Sequence, residues 1–469
     1  MTTKKLTDYI KQPASTQHNT KKTEQSEPVQ VRAQFKKETE FQETPVGKAP
    51  KDWKIVQLRD IGEIVNGFAF PLEYQGKKNG KYIFVKVSDT NIVGNEKYIR
   101  ATENKIDDHI AKQLKAKIFP SGTIIFPKIG MVIYLRKVRI LAESGTFDNN
   151  IMGIIPNKDV IDSEFLYYYF LGKINLTKLA GRTTAPSIKK SDVEKLKITL
   201  PPIREQQRIA EILSTVDSAI DRVRRLVERA DKLKKGLMQE LLTKGIGHKE
   251  FKETPIGRVP NEWLVYRLGQ LAIEMYYGVT AKAVEHYTGT RFLRTTDIKD
   301  YKVEWDSLPY CEVTSNNKVN LSKYTLRKGD IIVSRAGTVG MSVYVDRDMP
   351  DTVFGSYLIK IRVNDKLIDP KFLHYYLQTE QYWIQILASS KGSTLKNISL
   401  PTLKSLVIPV PTLEEQKVII EILSTVDRYV ESIKMRLERL ERVKKWLMDV
   451  LLTGKVRVMV EPSSGGSSG

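Results

Sequence analysis

PPIREQQRIAEILSTVDSAIDRVRRLVERADKLKKGLMQELLT, residues 201–243, returns as PTLEEQKVIIEILSTVDRYVESIKMRLERLERVKKWLMDVLLT, residues 411–453. The shared EILSTVD begins at Glu211 and again at Glu421, an offset of 421 − 211 = 210. In the first copy Ile209, Ile212, Val216, Ala219, Val223, Leu226, Ala230, Leu233 and Leu237 alternate steps of three and four. Such residues form the a/d seam of a heptad repeat. The same phase in the second copy gives Ile419, Ile422, Val426, Tyr429, Ile433, Arg436, Leu440, Val443 and Leu447, with Leu437 able to stand in for Arg436. Because 210 is thirty heptads, both copies share one phase. Pro202, Glu205, Pro411, Glu414 and Glu415 suit helix starts, and Lys232, Lys234, Lys235, Lys444 and Lys445 suit helix ends. A helix of about 40 residues spans ~60 Å. An apolar seam that long needs a partner, and the nearest is its own copy. The expectation is an intramolecular coiled coil, antiparallel if a two-fold relates the repeats.

Outward from these helices the duplication continues. FQETPVGKAPKDW at 41–53 returns as FKETPIGRVPNEW at 251–263, where Pro and Gly mark a turn and Trp53 and Trp263 pin it to a core. Strands are expected over residues 82–87 and 291–296, and over 122–126 and 329–333. Helices capped by Asp162 and Asp369 follow, the second with Pro370 at its start. These inner matches are offset by 207 or 208 rather than 210. The interior therefore differs in detail while the frame keeps its length.

The chain divides into an arm (1–40), a first mixed domain (41–200), a long helix (201–245), a second domain (246–410), a second helix (411–456) and a tail (457–469). The arm is polar and basic, the tail rich in Gly and Ser, and both are expected to be flexible. The fold class is α+β: two pseudo-symmetric mixed domains and two long helices in an antiparallel coiled coil.

A formal charge of +21 favours a polyanionic partner, most often nucleic acid. The lone Cys311 excludes an internal disulfide framework and fits a reducing, cytoplasmic setting. The five histidines lack metal-ligand spacing, and no apolar run is long enough to cross a membrane. The sequence carries no Walker A motif, GxGxxG, HExxH, nucleophile elbow or Asn-Pro-Pro-aromatic element. The reading is a binder and scaffold with no catalytic site, metal or bound cofactor of its own. A coiled-coil scaffold holding RNA or an acidic protein is the alternative, and a fused enzyme a third reading.

The duplicated turn-plus-Trp entry, GDIIVSRAGTVG at 329–340 and the Pro-x-x-x-Glu-Gln helix openings at 201–206 and 411–416 together resemble the specificity subunit of type I restriction–modification systems. The resemblance covers nearly everything from 41 to 456. It implies two target-recognition domains, each reading one half of a split site in double-stranded DNA, with the helices as a ruler. It further implies two modification (methyltransferase) subunits docked on the helices, and restriction subunits that add translocation and cleavage. S-adenosylmethionine, ATP and Mg would belong to those partners.

Sequence readout needs side chains at base edges, so polar loop residues at equivalent places are the candidates. Lys86, Ser88 and Asp89 pair with Arg294, Thr296 and Asp297. Lys128 pairs with Arg335, beside Ser334. Arg182, Thr183, Thr184 and Ser187 lie opposite Lys391, Ser393, Thr394, Lys396 and Asn397. Asn149 and Asn150 are candidates for reading adenine.

Overall fold

A computed structural model describes residues 34–180, 186–312, 320–389 and 397–459. Two compact units emerge: residues 1–218 with 442–469, and residues 219–441.

The first unit is built on a sheet in the order Gly62–Asn66, Ile151–Pro156, Ile124–Pro127, Arg139–Leu141, Tyr98–Ile99. Neighbours are antiparallel except the last pair, which is parallel. The expected strand at 122–126 is its centre. Ile124, Ile125 and Phe126 are all buried, so both faces are covered, which is why the run is continuously apolar rather than alternating. A three-stranded sheet of Gly145–Phe147, Tyr82–Val85 and Lys105–Ile106 stands beside it. The second unit repeats the plan. Ala272–Tyr277, Leu358–Val363, Ile331–Ser334 and Ser342–Tyr344 form an antiparallel sheet, next to a five-stranded sheet that contains Arg291–Leu293 and Met349–Phe354.

Two expected strands stop early, at Val85 and Leu293, and short 3-10 helices, Val87–Asn91 and Thr295–Asp297, follow. The Asp89 carboxylate accepts the Lys86 N–H at 2.8 Å, and Asp297 accepts the Arg294 N–H at 2.8 Å. Each closes a turn that competes with strand extension. The capped helices are as expected. Asp162 accepts the Phe165 N–H at 2.8 Å ahead of Ser163–Gly172, and Asp369 accepts the Lys371 N–H at 2.7 Å ahead of Pro370–Tyr376. Such caps contribute about 1 kcal/mol each. Their aromatic stripes are core.

The long helices run Ile203–Leu241 and Leu413–Leu451. Within the second unit Arg224 pairs with Glu441, Asp231 with Lys434 and Lys234 with Asp427, so one number rises as the other falls and the helices are antiparallel. In the first unit Lys444 pairs with Asp217 at 2.5 Å, the counterpart of Lys234 with Asp427 at 2.6 Å, each partner displaced by 210.

The seam departs from the a/d expectation through the middle of each helix, while Ile212 near the start of the first is buried as expected. Ile209, Val223, Ala230 and Ile419, Ile433, Leu447 are buried as expected, but Leu226, Leu233, Tyr429, Arg436 and Val443 are exposed. The neighbouring Leu213, Ile220, Leu423 and Val430 are buried instead, and Val227 and Leu437 are half-buried. The spacing remains four and three, shifted by one residue at each second contact. Both patterns have a 3.5-residue period, and Ile212/Leu213, Leu226/Val227 and Arg436/Leu437 offer apolar groups for the observed stripe. Lys234 and Lys444 lie on that stripe and meet Asp427 and Asp217 there.

The Glu-Gln openings have a structural purpose. Glu205 accepts the buried Trp53 indole N–H at 3.3 Å, and Glu415 accepts that of Trp263 at 3.0 Å. Gln206 accepts the Asp162 N–H and donates to the Val160 and Pro201 carbonyls. Gln416 does the same with Asp369, Leu367 and Pro411. Each helix start is thus locked to its turn and to the capped helix.

Order extends into both expected flexible ends. Phe35–Lys37 pairs antiparallel with Val456–Val458. Arg457 holds Glu205 through two 2.8 Å contacts, and also Asp52 and Glu38. In the second unit His248 stands in that place, 2.9 Å from Glu415 and 3.4 Å from Glu262.

Candidate nucleic-acid interface

In the second unit the strand Ile331–Ser334 runs out at Arg335, whose position is fixed by its backbone. Its N–H donates to the Tyr357 carbonyl at 2.9 Å and its carbonyl accepts the Ile398 N–H at 2.9 Å. The side chain is held as well. Nε donates to Asn397 Oδ1 at 3.1 Å, and the guanidinium lies 4.4 Å from the centre of the Tyr277 ring. The Tyr277 hydroxyl accepts the Leu400 N–H at 3.0 Å, so the ring is anchored too.

The first unit builds the same frame around Lys128. Its N–H donates to the Asn150 carbonyl at 2.8 Å and its carbonyl accepts the Ile188 N–H at 2.8 Å. Its ammonium donates to Asn66 Oδ1 at 2.7 Å. Burial pushes that ammonium below the ordinary lysine range. The frames match position for position: Lys128 with Arg335, Asn66 with Tyr277, Asn150 with Tyr357, Ser187 with Asn397. The backbone bonds are the same and every side chain differs. Behind each frame a glycine lets two strand ends meet. A Cβ on Gly67 would lie 2.0 Å from the Asp148 carbonyl oxygen, and one on Gly278 2.2 Å from that of Phe354.

Scattered candidates therefore converge. The Asp148 N–H donates to the Val85 carbonyl, and Asp148 Oδ1 accepts the Asn150 N–H, which draws Lys86, Asn149 and Asn150 toward Lys128. Ile129 bridges Ser187. In the second unit Gly355 bonds Leu293, and Thr338 Oγ1 donates to the Thr295 carbonyl at 3.1 Å. The turn holding Arg294 and Thr296 thus lies beside the Arg335 loop.

Four candidates make structural contacts within the chain. Asp89 is buried and accepts from Lys86 and Thr102, and Ser334 is buried and donates to the Ala336 carbonyl. Asp297 is the cap of its turn and Arg294 is folded onto it, Nη2 to Oδ1 at 2.7 Å. That hydrogen bond holds the Arg294 guanidinium above its ordinary pKa. Carboxylates capping a turn are spent where the turn is made, which spacing alone does not reveal. Lys86 is half-buried and donates to Gln75 at 2.7 Å. Ser88, Asn149, Asn150, Ser187, Thr296 and Asn397 are exposed. Arg182, Thr183, Thr184, Lys391, Ser393, Thr394 and Lys396 lie outside the described residues.

Asn66, Tyr277 and the exposed Tyr357 escaped the sequence reading. The signal for the first two was present: each precedes a glycine, Gly67 and Gly278, at a common offset of 211. The first unit also carries an apolar 3-10 helix after Lys128, Met131–Leu135, with Met131 and Leu135 exposed, where the second has Ala-Gly-Thr-Val-Gly at 336–340.

The arrangement presents cations, amides and aromatic rings on fixed backbone. Such groups contact phosphates and base edges. Among the described residues no group of three His, Cys, Asp or Glu side chains could hold a metal ion. No described helix is long and apolar enough to cross a membrane.

Residues 50–228 and 260–442 match the family described as Type I restriction modification DNA specificity domain. The chain is similar to a putative type I restriction enzyme MjaX specificity subunit of Methanocaldococcus jannaschii, 30% identical over 443 residues, covering 91% of this chain and 98% of that protein. It is also similar to the type I restriction enzyme EcoBI specificity subunit of Escherichia coli, 23% identical over 422 residues, covering 85% of this chain and 84% of the other. In fold it is similar to the crystal structure of a type I restriction-modification S subunit from M. genitalium, with a TM-score of 0.54 at 17% identity, covering 87% of this chain and 98% of that one.

Proposed function

We propose that this chain, which belongs to the family of type I restriction–modification specificity subunits, reads a bipartite site in double-stranded DNA, one half per unit. It is a non-catalytic subunit of a restriction system. One observation carries the bipartite reading. The two units erect the same backbone frame around Lys128 and Arg335 and furnish it with different side chains. Two readers of one base sequence would gain nothing from that difference, whereas two half-sites of unlike sequence require it.

In this account the interface is Lys86, Ser88, Lys128, Asn149, Asn150 and Ser187 in the first unit. In the second it is Thr296, Arg335 and Asn397, and the proposal also takes in Arg182, Thr183, Thr184, Lys391, Ser393, Thr394 and Lys396, which lie outside the described residues. The positive charge supplies the sequence-independent attraction to phosphates. The long helices carry two methyltransferase subunits and set the unread gap, and restriction subunits complete the assembly in the cytoplasm. Each helix rises about 58 Å over its 39 residues, more than one DNA turn of ~35 Å. S-adenosylmethionine, ATP and Mg act on the partner subunits.

Selection from random duplexes by the complex assembled with its methyltransferase subunits tests this. The expected outcome is two conserved blocks separated by a fixed unconserved gap. One uninterrupted block, or tighter binding to RNA, refutes it.

A further inference from the structure

We propose that Arg335 reads a guanine in the half-site of the second unit, and that Tyr277 and Asn397 are positioning residues that hold its guanidinium for that contact. The inference rests on the DNA-reading role proposed above and adds the base, the residue and the residues that aim it.

Arginines near this site are occupied by acceptors. Arg294 folds onto Asp297. Arg362 makes two bonds to the Asp330 carboxylate, at 2.8 and 2.6 Å. Arg291 donates to the Asp306 carbonyl at 2.7 Å. Arg335 differs. Among the described residues no carboxylate pairs with it, and its one side-chain hydrogen bond, to the neutral Asn397, uses Nε. The Tyr277 ring covers one face of the guanidinium at 4.4 Å. What remains is the Nη1/Nη2 edge, two parallel donors aimed by a ring on one side and an amide on the other.

That edge matches the O6 and N7 acceptors of guanine, which an arginine fork engages with two hydrogen bonds. Adenine offers a donor in place of O6, and pyrimidines lack N7. Stacking and an Nε bond restrict the rotamers of a side chain that otherwise loses much freedom on binding. An aimed fork can also pair two phosphate oxygens, and the dependence of binding on the guanine N7 separates the two contacts. The matched Lys128 shows the contrast. Its ammonium is a point charge tied to Asn66 and, among the described residues, stacks on no ring, so it lacks the planar, pre-aimed fork. The two units therefore present different donors at the equivalent place.

The test uses the assembled complex and duplexes carrying its selected site, with each guanine replaced in turn by 7-deazaguanine, which lacks only the N7 acceptor. Wild type should lose roughly tenfold or more in affinity at one guanine, in one half-site only. Arg335→Ala should bind the unmodified site less well and be indifferent to that replacement. Tyr277→Ala and Asn397→Ala should each shrink the penalty of the replacement, and Tyr277→Phe, which keeps the ring, should restore it. Arg335→Lys should bind with a smaller 7-deazaguanine penalty, because it lacks the planar fork. If Arg335→Ala keeps the full 7-deazaguanine penalty, or weakens all sequences equally, the assignment is overturned. If wild type itself selects no two-block site, the underlying DNA-reading proposal fails instead.

Discussion

Mild acid should loosen the helix Pro370–Tyr376 and leave its counterpart Ser163–Gly172 firm. The perturbed group is His374, buried on the first of these helices. Its Nε2 accepts from the Gln378 amide at 3.1 Å, and Nδ1 stands 3.4 Å from Ser342 Oγ. Burial, then the charge of Lys234, with Lys371 adding to both, lowers its pKa to about 3, and Asp427 only partly opposes them. The native pKa lies below the unfolded value of about 6.5. Above pH 6.5 both states are neutral and nothing is lost. Below it the unfolded chain gains a proton that the native helix refuses, so stability falls with decreasing pH until about pH 3. The slope is about 1.4 kcal/mol per pH unit, hence about 2 kcal/mol between pH 6.5 and 5. Amide hydrogen exchange by mass spectrometry, corrected for intrinsic rates, reads both helices in one sample. The first unit has Tyr167 at the matched position and serves as the internal control. His374→Gln, which cannot take the proton, should flatten the slope in the second unit. An unchanged slope in that variant, or equal loosening of Ser163–Gly172, would refute the reasoning.

Gly67→Ala and Gly278→Ala should each cost about 1–3 kcal/mol in urea unfolding, because the new Cβ meets backbone carbonyls at 2.0 and 2.2 Å. A neutral effect would mean that the strand ends part freely. Arg457→Ala should destabilise the first unit by about 3 kcal/mol, since it strands the nearly buried Glu205, and Glu205→Gln in the same chain should recover part of the loss. The backbone N–H groups of Glu40 and Thr39, with the Arg457 guanidinium, hold the Glu38 carboxyl at a pKa of about 2. Its contribution is therefore present above about pH 4.5 and lost as pH falls toward 2, which exchange of the strand Phe35–Lys37 would report. Deleting one heptad from both long helices should shorten the unread gap or abolish site-specific binding, and an unchanged gap on site selection would remove the helices from the role of ruler.

Much of the frame was legible because duplication gives two readings of one pattern. The offset of 210 identified matched helices, Trp53 and Trp263 marked the turn, and Asp162 and Asp369 announced their helices. The seam was legible in period but not in side. At Leu226/Val227 and Leu233/Lys234 the sequence offers an apolar first residue, and the folded chain turns the second inward, where Lys234 meets Asp427. Likewise Asp89 and Asp297 have the spacing of a contact pair and the function of turn caps, a distinction that exists only once the backbone closes on them. The equivalence of Lys128 and Arg335 was readable; the residues that aim them were not. Asn66 and Tyr277 reach the site from a strand about 60 residues away in each unit, and only the sheet order brings them together.

The most direct measurement of the central claim is a genome-wide map of methylated adenines in cells with and without this chain, in the presence of its methyltransferase partner. One bipartite motif, with two unlike halves and a fixed gap, should disappear when the chain is removed. Its replacement by the Arg335→Gln variant should relax a guanine in one half and leave the other half intact. An unchanged map on removal, or loss of a motif with no gap, would contradict it.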